Sequence, residues 1–135
     1  MATPAALPAP SLDDFEAIAR TAWAALPSVF TRMAGDVVIR IEDFASEEVL
    51  GDFGIEDPFE LTGLYSGVDL TQQSVADPHA QTPMVFLYRR PILDEWCDRG
   101  DVSLDELITH VLVHEIGHHF GLTDDHMDAI LDGAH

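Results

Sequence analysis

Leu104, Leu107, Ile108, Val111 and Leu112 recur at three- and four-residue spacing, a period that fits an α-helix with one apolar face. Ser103 stands at its N-cap position with Glu106 three residues on, the capping-box spacing, and Gly121 marks its end. A helix with such a face must lie against a second layer. Residues 84–89 (MVFLYR) supply the clearest strand for it, and 37–44 (VVIRIEDF) a half-covered one. Residues 61–70 (LTGLYSGVDL) read as a third strand, bent or bulged at its glycines.

Ahead of these strands, Ser11 caps a helix, with Asp14 at the capping-box position and Phe15, Ile18, Ala19, Ala22 and Leu26 at helical spacing up to Pro27. Pro91 opens a short helix over 92–99 that stops at Gly100, and a last short helix is expected over 123–131. Residues 45–60 read as an acidic loop with one helical turn, and 71–83 as a polar connection. The order implies an α+β domain: a small mixed sheet of about three to four strands packed on helices. Residues 1–10, with three Pro and four Ala, read as a disordered lead-in, and 11–135 as one domain.

Charge narrows the partners. Twenty-five Asp and Glu stand against six cations, all of them Arg, for a formal net charge of −19. A surface of that sign repels phosphate backbones and anionic lipid, so neither nucleic acid nor membrane is an expected partner. No apolar run approaches the length of a membrane span, and residues 1–10 carry neither the charge nor the apolar core of a signal peptide. The expected compartment is the cytoplasm. The single Cys97 cannot form an internal disulfide and is expected to pack in the core.

The chemistry lies on the long helix. His114-Glu115-Ile116-Gly117-His118 is an HExxH motif. Residues four apart on a helix stand about 40° and about 6 Å from each other, so both imidazoles can aim at one zinc ion. Glu115, about 60° around from His118, flanks the ion where its carboxylate can take a proton from water. Two histidines leave the ligand set incomplete. On an unbroken helix Asp124 would face elsewhere, but Gly121 admits a left-handed turn that brings the chain back. The pattern is then HExxHxxGxxD, with His114, His118 and Asp124 as metal ligands, one zinc per chain, and Glu115 as the catalytic base. Asp124 also suits the N-cap of the last helix, and Asp125 is the rival ligand.

HExxHxxGxxD is the metzincin form of the zincin motif, with Asp in place of the usual third His. The run VLVHEIGHHFGLTDDHM, with LTGLYSGVDL and FLYRRP, resembles a family of small bacterial proteins described as minimal zincins or zincin-like metallopeptidases. The resemblance covers roughly residues 11–132 and is densest in the last third. It implies an α+β fold with the motif helix under a small sheet, zinc on His114, His118 and Asp124, and Glu115 as base. Metzincins carry a methionine turn well downstream of the motif, whereas Met127 follows Asp124 by three residues.

The expected activity is hydrolysis of peptide bonds in a peptide or protein substrate, with an extended substrate pairing along an edge strand, taken to be 84–89. Two alternatives remain. A non-catalytic metal-binding adaptor would keep the ligands without turnover. A metal-dependent endoribonuclease has a family resemblance in its His-x3-His-x5-ligand spacing, against which stand the charge and Glu115 itself. His110, one turn before His114, and His119 read as groups around the site rather than ligands; His126 and His135 read as surface residues. Tyr65 and Tyr88 are candidate oxyanion donors, though strand aromatics are usually core. The acidic residues over 42–60 read as a solvated face.

Overall fold

Ser11 starts the first helix as its sequence implies. Its hydroxyl accepts from the Asp14 N–H at 3.1 Å, and the Asp14 carboxylate accepts from the Ser11 N–H at 2.8 Å, so two of the orphan donors of a helix start are satisfied. The computed structural model describes residues 9–33, 37–67, 83–119 and 121. The described elements are helix α1 (Leu12–Ala25), α2 (Ser28–Met33), strand β1 (Val38–Glu42), α3 (Glu47–Asp52), a 3-10 turn (Pro58–Glu60), β2 (Gly63–Ser66), β3 (Met84–Tyr88), α4 (Arg89–Arg99) and α5 (Leu104–His119).

The three strands form one mixed sheet in the order β1-β3-β2, with β1 parallel and β2 antiparallel to β3. The strand expected at an edge is therefore the central one. Its composition explains this: Val85 and Leu87 are fully buried on one face, and Phe86 and Tyr88 pack on the other. An apolar run without alternation suits a strand covered on both sides.

The first face carries the main core. α1 and α5 pack on it and on each other, burying Phe15 and Ala19 from α1 with Ile108 and Leu112 from α5. The sheet contributes Ile39 and Val85, which are register partners, and Ile41 and Leu87, the next such pair. The second face carries a smaller cluster of Ala45, Leu50 and Tyr88, with Leu61, Leu64 and Phe86 against it. Residues 45–60 are accordingly more ordered than a loop: Ser46 caps α3 through the Val49 N–H at 3.2 Å, while Glu47, Glu48, Asp52, Glu56, Asp57 and Glu60 remain exposed.

Three further differences from expectation have simple causes. Chain exit at Pro27 is followed at once by α2, because proline suits the position just ahead of a helix. α4 begins at Arg89 rather than after Pro91, since a proline in the first helical turn removes no intrahelical hydrogen bond. Cys97 is exposed rather than packed in the core, because α4 buries Pro91 and Ile92 and Cys97 lies about 140° around the helix from Ile92.

Candidate active site

α5 is apolar over most of its circumference because α1, the sheet and α4 surround it. Leu104, Leu107, Ile108, Val111, Leu112, Val113 and Ile116 are all buried. The polar stripe that remains holds His110, His114 and His118, at successive four-residue steps. Ser103 starts this helix by accepting from the Glu106 N–H at 3.0 Å. At its far end Gly121 adopts φ 69° and its N–H donates to the His118 carbonyl at 3.1 Å. The left-handed turn anticipated there is thus present, at a conformation glycine accepts without penalty.

His114 is half-buried, and its Nε2 is a buried nitrogen that the described residues do not hydrogen-bond. Its ring lies 4.4 Å from that of His110, tilted by 38°. The His118 side chain is half exposed, and its Nδ1 lies 3.2 Å from Glu115 Oε1. Glu115 is the most enclosed carboxylate of the site, with 14% of its side chain exposed. Burial raises its pKa above the ordinary carboxylate value; His118, His114 and a hydrogen bond from the Tyr65 N–H act in the opposite direction.

An open cavity of about 530 Å³ lies over this stretch of α5. Its floor is His110, Val111, His114 and Glu115, and its walls are Glu95 and Arg99 of α4 with Thr62 ahead of β2. Arg99 Nη1 and Glu95 Oε2 stand 3.4 Å apart on that wall, both about half exposed.

β2 is the strand beside the site. Tyr88 N–H donates to the Thr62 carbonyl at 2.9 Å, so in the antiparallel alternation Leu64 also turns its backbone groups to β3. Gly63 and Tyr65 turn theirs away from β3. A side chain at Gly63 would collide with α5: a Cβ there would sit 2.7 Å from Val111 Cγ1 and 3.2 Å from Glu115 Cγ. Gly63, Thr62, Glu95 and Arg99 carry no motif. The only signal was a glycine within a strand, which marks close backbone approach as often as a bulge.

His114 and Glu115 therefore line one cleft, and His118 lies against Glu115 at 3.2 Å. The two imidazoles suit zinc by donor chemistry. Among the described residues no three ligating side chains surround one point. Asp124 and Asp125 lie outside the described residues, as do His126, Met127, His135, the His119 side chain and the helix expected over 123–131. Tyr88, a candidate oxyanion donor, is 1% exposed and packs with the second cluster, on the sheet face away from the main core. Burial, with Glu42 and Glu115 nearby, pushes its pKa up to about 12. Tyr65 packs against the main core from β2.

Among the described residues no helix is long and apolar enough to cross a membrane. The family model of zincin-like metallopeptidases matches residues 34–134. No curated protein matches the chain.

Proposed function

Since the chain belongs to the zincin-like metallopeptidase family, we propose that it is a zinc-dependent peptidase with Glu115 as general base and His114, His118 and Asp124 as ligands. The observation that carries the reading is that His114 and the enclosed Glu115 line an open cleft, with His118 against Glu115 at 3.2 Å. Zinc held there supplies Lewis acidity, polarising a peptide carbonyl and making a water proton easier to remove.

The chain's own groups do the rest. Glu115 takes the proton from the attacking water and returns it to the departing amine. Burial raises its pKa, which favours a carboxylate that accepts a proton. The substrate is a peptide or protein segment in extended form, seated in the cleft between β2 and α4. The edge it pairs with is β2, whose Gly63 backbone groups face outward. A nuclease reading gains nothing from the cleft, where Arg99, the one cation among the described lining residues, is already paired with Glu95.

Elemental analysis of the untagged protein tests the ligand set. The expected result is one zinc per chain, lost in His114→Ala, His118→Ala and Asp124→Ala. Glu115→Gln is expected to keep its zinc and to lose peptide hydrolysis by about 10²–10⁴-fold, the usual worth of a general base. Retention of zinc by Asp124→Ala would return Asp124 to the role of a helix cap. A zinc-loaded wild type that cuts no peptide in a broad library would leave the adaptor reading instead.

A further inference from the structure

We propose that Gly63 is a positioning residue for Glu115: having no side chain, it lets β2 lie close enough to α5 for the Tyr65 N–H to hold the Glu115 carboxylate. The proposal rests on Glu115 being the base.

Three surroundings close on the Gly63 position. A Cβ there would meet Val111 Cγ1 at 2.7 Å, Glu115 Cγ at 3.2 Å and the Phe86 carbonyl oxygen at 3.2 Å. None of them yields easily. Val111 is 6% exposed and β-branched, so its rotamer is stiff. The Phe86 carbonyl is backbone of the central strand, and Glu115 Cγ is the stem of the base itself. A methyl group at Gly63 must therefore drive β2 and α5 apart or turn the Glu115 side chain aside.

Two residues along the same strand, the Tyr65 N–H points out of the ladder and donates to Glu115. On an edge strand that donor would otherwise face water. Spent on Glu115, it helps to hold the carboxylate, and His118 Nδ1 lies 3.2 Å from its Oε1. Glu115 is thus aimed by the sheet edge as well as by its own helix. The aim depends on the separation of β2 from α5, which Gly63 sets. A base turned aside by a fraction of an ångström loses rate without losing substrate affinity.

Amide hydrogen exchange on the full ¹⁵N-labelled chain reads the contact directly, with or without zinc. Glu115→Ala and Gly63→Ala should each speed exchange of the Tyr65 amide by about tenfold, the loss of one hydrogen bond, while the Leu64 amide, bonded into the ladder, keeps its rate. Gly63→Ala/Val111→Ala removes the 2.7 Å collision and should recover most of the Tyr65 protection; it also serves if Gly63→Ala alone does not fold. On a peptide that the wild type cuts, Gly63→Ala should lower kcat by about tenfold with KM and zinc content unchanged. Exchange at Tyr65 that is indifferent to Glu115→Ala would overturn the proposal. So would a folded Gly63→Ala with wild-type Tyr65 exchange and kcat. If the exchange results hold but the wild type takes up no zinc and cuts nothing, the role of Glu115 as base fails while the Gly63 contact stands.

Discussion

Tyr88 and Glu115 show how far burial alone changes a side chain's chemistry. Both have raised pKa values, and desolvation is the largest cause in each. In Glu115 nearby histidines and the Tyr65 N–H oppose that effect, whereas Glu42 and Glu115 reinforce it in Tyr88. The consequence for Tyr88 has a definite sign. Its folded pKa of about 12 lies above the unfolded value of 10.0, so the folded state holds its proton more tightly. The stability this contributes is fully present below pH 10 and is lost as pH rises towards 12. A phenolate absorbance titration should show one of the two tyrosines ionising about two units late, and Tyr88→Phe should abolish that late step. The same variant should lose less stability than the wild type between pH 10 and pH 12. Both tyrosines ionising together near 10 would refute the account.

At the scale of the element, α5 has the strongest local instructions and carries the site. Its start depends on Ser103, whose hydroxyl accepts from the Glu106 N–H. Ser103→Ala should therefore destabilise the protein by about 1 kcal/mol, whereas Ser103→Gly should lose only a few tenths. Thermal unfolding distinguishes them, with a Tm drop of about 4 °C for alanine. Equal effects of the two substitutions would mean the hydroxyl bond contributes nothing. β3 was legible as a strand from its five apolar residues, but its place in the sheet was not. Alternation tells an edge strand from a covered one only when one face is wet, and here Phe86 and Tyr88 have a second cluster to bury against.

For the whole molecule the dominant force outside the core is its own charge. A formal −19 on 135 residues is self-repulsion that favours expansion. Among the described residues the arginine ion pairs Arg20–Glu16, Arg40–Glu42, Arg89–Asp43 and Arg99–Glu95 engage four acidic residues, and exposed pairs are individually weak. Stability should therefore rise as salt is added, since screening reaches about 8 Å at physiological ionic strength. Urea unfolding at low and at physiological salt checks this; a midpoint that falls with salt would mean the ion pairs outweigh the repulsion. The two-faced sheet matters here too. The acidic residues of 47–60 stay at the surface while Ala45 and Leu50 beneath them are buried, so charge and core are separated within one short segment.

Spacing along the chain set much of what depends on near neighbours, though not α2 or the start of α4. Helix α1 and its capping box, α5 and its start, the Gly121 turn, and the common stripe of His114, Glu115 and His118 all follow from spacings of three and four residues. Such spacings become distances as soon as a helix forms. The tertiary structure alone decided what meets across the chain. It put β3 in the middle and β2 beside the site, placed Glu95 and Arg99 on the cleft wall, turned Cys97 outward and brought Gly63 against Glu115. Gly63 and Glu115 are 52 residues apart. Nothing local joins them: their contact exists because β2 pairs with β3 and α5 packs across both, and a close approach of two backbones leaves no mark on a sequence beyond a residue with no side chain.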